Sequence, residues 1–320
     1  MRQSRSVLYS MASANDRVYT MSKKALLILH GKQAANQAVR DAVMNWRDQG
    51  HELAVRVTWE GGDAERYVQE SLNNGFTTLI AGGGDGSVRD ITQALMESGQ
   101  QDLELAILPL GTANDFATAA EIPVEPADSL RLLENTPHPC DVIQVNDHYF
   151  LNMATGGFGT EVTTQTSEDL KKMLGGAAYL LTGLSRFSEI ESAKGQFKGE
   201  GFEWEGEFLA LGLGNGRQAG GGQRLCPDAL VNNGLFDVAI LPADMDLLAG
   251  VKELFDSEAR QDPNQEGLFI RTRLSEMHIE TPTPMNLNLD GEPIQNTTFH
   301  IRSIPNALRL YLPESSPLLG

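Results

Sequence analysis

Cysteine and metal-binding histidine patterns are scarce in this sequence. Its 320 residues include two cysteines, Cys140 and Cys226, which stand far apart and form no CxxC pair. Its six histidines show neither HxH nor HExxH spacing, the short patterns in which zinc ligands are most easily recognised. We therefore expect two reduced thiols and find no support here for a zinc site or a disulfide framework.

Positive charge is also in short supply. The chain has 25 Lys and Arg against 43 Asp and Glu, a formal net charge of −18 at pH 7. Proteins that bind nucleic acid through its phosphates need a basic surface, and each basic residue near an anionic bilayer contributes about 1 kcal/mol. We therefore expect no nucleic-acid partner, and a membrane contact that is local, apolar or transient.

Long apolar runs are absent as well. No segment approaches the ~20 apolar residues that a membrane-spanning helix requires, and the first twenty residues lack the continuous apolar segment of a signal peptide. Met21 stands just before the first strand-like run. We expect residues 1–21 to be a disordered extension of a cytoplasmic protein.

Strand-like and helix-like segments alternate between residues 22 and 141. Between the strands, apolar residues recur at helical spacing, as at Val39, Val43 and Trp46. Alternation with such short linkers predicts a parallel sheet with right-handed crossovers, and hence an α/β domain. The predicted strands are Ala25–Leu29, Leu53–Val57, Thr77–Ala81 and Leu105–Leu108.

Residues 142–304 have a different pattern, in which strands follow one another between Gly and Asn turns. This pattern predicts an antiparallel sandwich or barrel, interrupted by helices over about Glu168–Phe187 and Met245–Ser257. Residues 305–314 are a candidate strand that returns to the first domain. The other predicted strands are Tyr149–Met153, Phe208–Leu213, Leu235–Leu241, Leu268–Arg271, Met277–Glu280 and Phe299–Ile301.

Three loops follow strands of the first domain, at Val57–Gly62, Gly82–Ser87 and Leu110–Phe116. The carboxyl ends of parallel strands form the ligand crevice of an open sheet, so the three loops are expected at one site. The glycines of the middle loop let backbone amides approach phosphate oxygens, and the loop leads into a helix N-terminus. Asp85 would repel a bare phosphate, which suggests Mg²⁺ between them. Alternatively, the loop is a plain turn in which Asp85 caps the helix.

Two motifs carry a family resemblance. Gly83–Ser87 resembles the GGDGT signature shared by diacylglycerol kinases, sphingosine kinases, NAD kinases and phosphofructokinases, whereas neither GxGxxG nor the P-loop GxxxxGK[ST] occurs. Pro109–Phe116 is similar to the PxGTxNDFA box of the diacylglycerol kinase catalytic domain. This second motif favours the diacylglycerol kinase family over the others that share the first motif. Further matches lie at Asn152–Gly159, Gly214–Gly216, Gly220–Gly222, Leu225–Ala229 and Asp290–Pro293.

The resemblance covers about residues 22 to 319 and is closest to the bacterial YegS-type lipid kinases. It implies an α/β nucleotide-binding domain like that of NAD and diacylglycerol kinases, joined to a C-terminal antiparallel β-sandwich. It places the active site in the cleft between the two domains.

The resemblance also implies roles for individual residues. Glu292 matches the position of the proton acceptor, with Asp290 beside it. Three residues match positions that hold Mg²⁺ in the second domain: Leu230, Asn233 and Leu235. Nine residues match ATP-contacting positions: Thr58, Gly84, Asp85, Gly86, Ser87, Val88, Arg89, Asp90 and Thr112.

The chain departs from the family pattern at three places. Ser87 stands where Thr is usual, which keeps the hydroxyl group. Arg89-Asp90 stands where Asn-Glu is usual, so the carboxylate has a shorter reach. Asn233 stands where Asp is usual, which removes a charge from the expected metal site.

The Asp290-Gly291 pair has a second interpretation. Asp-Gly after the alternating Leu287-Asn288-Leu289 is typical of a β-hairpin turn, and residues alone favour an exposed hairpin tip over a catalytic segment. The family resemblance reverses that preference.

The resemblance implies an ATP-dependent kinase of a glycerol-based lipid such as diacylglycerol or a phosphatidylglycerol-like lipid. It implies Mg²⁺, with Ca²⁺ as an alternative ion, and transient contact with the inner membrane surface. Two alternatives stay open: a kinase of a soluble alcohol, as NAD kinases are, and a non-catalytic sensor of nucleotide or lipid.

Overall fold

A computed structural model describes residues 24–99, 103–157, 192–245 and 267–320. Its first part is a parallel sheet of four strands in the order β2-β1-β3-β4. These strands are β1 (Lys24–Leu29), β2 (Glu52–Val57), β3 (Thr78–Gly83) and β4 (Glu104–Pro109). Each lies close to a predicted strand, because short apolar runs are typical of strands covered on both faces.

Helices cover both faces of this sheet. Along β1, Leu26 and Ile28 pack on the side of α2 (Asp63–Asn73) and α3 (Asp85–Ser98). Ala25 and Leu27 pack on the opposite side, against α1 (Gln37–Asp48). The alternation of side chains along a strand thus divides one apolar run between two core layers.

Local sequence sets the limits of the helices. The side chain of Asn36 accepts a hydrogen bond from the Val39 N–H and caps α1. Gly99, with φ 66°, ends α3 in the left-handed conformation that glycine adopts easily. Two short helices, α4 (Asp115–Ala119) and α5 (Pro126–Arg131), were not predicted.

The remaining strands are mostly antiparallel. Their inward residues form a second core that includes Phe197, Phe208, Phe236 and Phe299. The strands are β5 (His138–Val145), β6 (His148–Phe150), β7 (Met153–Gly157), β8 (Ala193–Gly199), β9 (Phe202–Gly214), β10 (Phe236–Pro242), β11 (Ile270–Leu274), β12 (Glu276–Leu289) and β13 (Glu292–Leu310).

The long strand β13 joins the two parts. Its end pairs in parallel with β4, Arg309 opposite Glu104, while its middle pairs antiparallel with β5 and its start with β12. The buried Tyr311 just beyond it donates a hydrogen bond from its hydroxyl to Glu104. The predicted fold class, an α/β domain with an antiparallel β-sandwich, is confirmed.

One predicted strand is wrong, and other predicted segments lie outside the described residues. The single strand predicted at Tyr149–Met153 is wrong: β6 ends at Phe150 and β7 begins at Met153, because the N–H groups between them donate to the side chain of Asp290. The helix predicted at Glu168–Phe187, most of that at Met245–Ser257 and residues 1–21 lie outside the described residues. Among the residues that are described, no helix is long and apolar enough to cross a membrane.

Candidate active site

The loops after β3 and β4 lie against each other, backbone to backbone. A Cβ atom on Gly84 would lie 3.1 Å from the Cα of Gly111. Asn114, at φ 48°, closes the second loop by accepting a hydrogen bond from the Gly111 N–H at 2.8 Å and donating one to its carbonyl at 2.9 Å. The two backbones lie so close together that only glycine, which has no Cβ atom, fits at positions 84 and 111.

Asp85 stands at the first turn of α3 and bridges these two loops. Its Oδ1 accepts a hydrogen bond from the Phe116 N–H at 3.3 Å. The N–H groups of Ser87 and Val88 donate to the Gly84 carbonyl, so the amides of Asp85 and Gly86 are those that a phosphate would meet at the helix N-terminus. The arrangement can bind an anion and a cation side by side.

A cavity of about 890 Å³ opens beside the first turns of α3. Among the predicted ATP residues, Thr58, Ser87, Arg89 and Asp90 line it; Gly84, Asp85, Gly86, Val88 and Thr112 do not. Arg89 pairs with Asp90 at 2.8 Å, yet its buried Nε has no acceptor among the described residues. The Arg89 guanidinium thus places a positive charge at the wall of the cavity, which suits an anionic ligand such as a phosphate.

The wall of the cavity after β2 is held by a residue that was not predicted. The buried Asp63 accepts hydrogen bonds from the N–H groups of Trp59 at 2.6 Å and Glu60 at 3.1 Å, which hold the pKa of its carboxyl below its usual value. Thr58 Oγ1 accepts from the Gly31 N–H at 3.3 Å. The Trp59 side chain, 92% exposed, lies at this wall.

Asp115 ties the first domain to a glycine loop of the second. Its buried carboxylate accepts hydrogen bonds from the N–H groups of Gly221 and Gly222, both at 2.9 Å, and from Gln218 at 3.3 Å. Burial raises the pKa of Asp115, and the charge of Asp85 raises it further. Asp115 lies within the Pro109–Phe116 motif, and the sequence alone assigns it no role.

Asp290 is the turn residue between β12 and β13, with φ 48°. Its Oδ2 accepts from the Leu151 and Asn152 N–H groups at 3.0 Å each, and its Oδ1 from the Met153 N–H at 2.7 Å. Burial raises its pKa from 3.8 to about 6, and the charge of Asp85 adds to the rise. The carboxylates of Asp85, Asp115 and Asp290 therefore share one region of negative potential.

Glu292 is the first residue of β13 and is exposed. The two predicted catalytic carboxylates thus differ: Asp290 is buried and engaged by backbone amides, whereas Glu292 is open to an incoming ligand. Thr112 is likewise exposed, in the loop before α4.

The predicted second-domain metal residues occupy one turn before β10. Asn233 is exposed, and its Oδ1 accepts the Leu235 N–H at 2.9 Å; Leu230 is half-buried near the C-terminus. An amide oxygen and backbone carbonyls are ligands that suit a hard divalent cation, but they offset none of its charge. The residues fit such an ion with a weak set of donors.

Two family models match the chain. The model of the diacylglycerol kinase catalytic domain matches residues 24–145. The model of the YegS C-terminal NAD kinase beta sandwich-like domain matches residues 154–312. Together they span both structural parts.

Two curated relatives also match over most of both chains. A protein of Alcanivorax borkumensis described as "Probable lipid kinase YegS-like" is 86% identical over 300 residues, covering 94% of this chain and 100% of its own. One of Pseudomonas aeruginosa with the same description is 56% identical, with 92% and 96% covered.

Two crystal structures from Bacillus anthracis str. Sterne share the fold. One, described as a diacylglycerol kinase, has a TM-score of 0.69 at 21% identity and covers 93% of this chain and 99% of its own. The other has a TM-score of 0.77 at 24% identity, covering 94% and 99%.

Proposed function

This chain belongs to the diacylglycerol kinase family, in its YegS-like branch of lipid kinases, and we propose that it transfers the γ-phosphoryl group of ATP to a hydroxyl group of a glycerol-based lipid. Membership of the family implies a kinase with ATP as co-substrate and a divalent metal ion. The identity of the ion as Mg²⁺ and the class of lipid are part of the proposal.

The observation that carries the ATP site is the cavity beside the first turns of α3, whose wall includes the Arg89 side chain. The positive charge of this side chain favours an anionic group such as a phosphate in the cavity. Ser87 lines the same cavity, and the amides of Asp85 and Gly86 start the helix next to it. Helix N-termini and charged donors together favour a polyphosphate.

The negative region formed by Asp85, Asp115 and Asp290 supports the ion. The charge of Asp85 raises the pKa of both other carboxyl groups, so the three are close enough to repel one another. Mg²⁺ prefers carboxylate and phosphate oxygens as ligands and would offset the repulsion between Asp85 and ATP. Asp85 would hold this ion, while Asp115 and Asp290 keep their hydrogen bonds to the backbone.

The chemistry that follows is a direct displacement. The lipid hydroxyl oxygen forms a bond to the γ-phosphorus, the bond between that phosphorus and the β,γ-bridging oxygen breaks, and ADP leaves. Glu292, exposed at the start of β13, accepts the hydroxyl proton. Asp290 positions Glu292, because it fixes the turn between the two strands through three backbone hydrogen bonds.

The class of lipid rests on the relatives. The proteins that are 86% and 56% identical are described as "Probable lipid kinase YegS-like", and the model of the diacylglycerol kinase catalytic domain matches residues 24–145. A net charge of −18 opposes attraction to an anionic bilayer, so we propose brief visits to the cytoplasmic membrane surface. Activity on anionic vesicles should then rise with salt up to moderate ionic strength; a fall would instead indicate a basic docking patch.

Labelled ATP and a total bacterial lipid extract test the proposal. The intact chain with Mg²⁺ should label a glycerol-based lipid, and Asp85→Asn should reduce the labelling by orders of magnitude while the fold persists. Asp41→Asn, the same change on the exposed face of α1, should leave labelling unchanged. Labelling of NAD or another soluble alcohol, with no labelled lipid, would refute the lipid assignment.

A further inference from the structure

Three metal-binding side chains meet on the outer face of the β12–β13 hairpin, outside the proposed active site. The Oε1 atom of Glu276 lies 2.7 Å from Nε2 of His300 and 3.5 Å from Nε2 of His278. One nitrogen or oxygen from each residue lies within 4.8 Å of the other two. Among the described residues, no other three His, Cys, Asp or Glu side chains are arranged in this way.

The two strands create this cluster by register. Met277 and Ile279 point into the sandwich core, so Glu276 and His278 share the outward face of β12. His300 is directly opposite His278 in the antiparallel ladder. Because His278 and His300 are 22 positions apart in the sequence, neither HxH nor HExxH describes them, and the expectation of no zinc site rested only on such short spacings.

The cluster is ordered by its own contacts. The two imidazole rings stack at 4.4 Å between centroids and 5° between planes, which directs both Nε2 atoms toward Glu276. The Oε1 atom of Glu276 forms a hydrogen bond with Nε2 of His300, so this carboxylate oxygen already lies beside both rings. Because an imidazole nitrogen binds a metal ion in the plane of its ring, one of the two parallel rings must turn before the three side chains close around a cation, and the exposed His278 can do so by side-chain rotation.

The two basic side chains next to this cluster interact with residues outside it. Lys198 of β8 is opposite His278, but its Nζ lies 3.7 Å from Glu203. Arg302 is opposite Glu276 and donates from Nε to Gln144 at 2.8 Å. Neither residue forms the ion pair that would compete most directly for the Glu276 carboxylate.

We propose that Glu276, His278 and His300 form a binding site for a divalent transition-metal cation of the Zn²⁺ class. Zinc binds imidazole nitrogen and carboxylate oxygen at about 2.0–2.2 Å, which places neighbouring ligand atoms about 3.3 Å apart in a tetrahedron. The observed separations of 2.7 and 3.5 Å bracket that value. Two imidazoles select such an ion over Mg²⁺, which prefers oxygen ligands.

The consequence for the protein would be structural. The site would cross-link β12 to β13 near the end of the hairpin opposite the Asp290 turn. An ion that binds the folded state and not the unfolded chain stabilises the fold. The fourth coordination position would face water, because Glu276 and His278 are exposed.

Calorimetric titration of the tag-free full chain with Zn²⁺ tests the site, with Co²⁺ absorption as a report of tetrahedral coordination. We expect one ion per chain, a rise in melting temperature and no displacement by millimolar Mg²⁺. Glu276→Gln, His278→Ala and His300→Ala should each weaken binding by more than about 100-fold, since even loss of an outer-shell partner costs 10–100-fold.

Glu280→Gln is the matched control, because Glu280 is the next outward residue of β12 and lies outside the cluster. It should bind Zn²⁺ as the unaltered chain does. The proposal is overturned if the unaltered chain binds no Zn²⁺, if Mg²⁺ displaces the ion, or if the three cluster variants bind as tightly as the Glu280→Gln control.

Discussion

A Cβ atom on Gly111 would lie 2.4 Å from the Cα of Gly84. The loops after β3 and β4 therefore touch at a point where neither backbone can accommodate a side chain. Together with the hydrogen bond from the Phe116 N–H to Asp85, the contact sets the distance between two of the loops that build the proposed nucleotide site.

Gly111→Ala should damage both stability and ATP binding. The added methyl group meets backbone atoms of Gly84, which cannot rotate away, and the Asn114 side-chain oxygen, which can turn only by breaking its hydrogen bonds to Gly111. We therefore expect a loss of about 1–3 kcal/mol in unfolding free energy. Urea unfolding and ATP titration would measure the two effects. A Gly111→Ala protein of unchanged stability would contradict the close contact.

Gly86→Ala is the matched control for stability. A Cβ atom there meets nothing within 4 Å, and Gly86 lies in the first turn of α3. Alanine is favoured over glycine inside a helix by about 0.5–1 kcal/mol. The unfolding free energy of this variant should stay the same or increase.

The sequence predicts the parallel part of the fold well for a physical reason. β1, β3 and β4 are buried on both faces, so each is a short apolar run that stands out between polar loops. The predicted strand near Phe299 and the candidate return strand at 305–314 are mostly parts of one long β13. Nothing local indicates that one strand pairs with β12, β5 and β4 in turn.

Residues that hold the loops of the candidate site in place are harder to predict from the sequence than those expected to contact ATP. Asp115 and Asp63 resemble ordinary helix-start carboxylates in the sequence, yet each accepts backbone hydrogen bonds that fix a loop. Glycine spacing indicates where a phosphate can approach. It does not indicate which distant amides a buried carboxylate will meet.

Ionisation of Asp290 should make a visible contribution to the pH dependence of stability. Its pKa is about 6 in the fold and 3.8 in an unperturbed chain, so the folded state holds the proton more tightly. The stability that Asp290 contributes is therefore present below about pH 4 and is lost as the pH rises through 6.

Asp290→Asn, which does not titrate, isolates this effect. The unfolding free energy of the unaltered chain minus that of Asp290→Asn should decrease between pH 4 and 7 in urea unfolding. The variant should be less stable at pH 4, since an amide cannot accept all three backbone hydrogen bonds. An increase of the difference with pH would mean that those hydrogen bonds outweigh burial and lower the pKa.

Glu292→Gln should separate catalysis from structure in the same turn. Glu292 is exposed, so the variant should unfold at the same urea concentration as the unaltered chain. Loss of a positioned base lowers turnover by about 10²–10⁴-fold, and ATP should still bind. If ATP binding disappears while turnover per bound ATP is unchanged, the turn is structural and Glu292 is not the base.

Asn233→Asp should strengthen the proposed second-domain metal site. The Asn233 Oδ1 atom accepts the Leu235 N–H, a role that a carboxylate oxygen keeps, so the turn before β10 should fold as before. The added negative charge offsets charge on a hard divalent cation. We expect the Mg²⁺ concentration that gives half of the maximal rise in melting temperature to fall by about tenfold or more, equivalent to about 1.4 kcal/mol.

Asn232→Asp is the control: it adds the same charge one residue earlier, where the side chain accepts the Gly320 N–H at 3.0 Å. Equal responses of the two variants would indicate general electrostatic attraction. An unchanged Asn233→Asp titration would mean that the site is vacant or is held by backbone carbonyls alone.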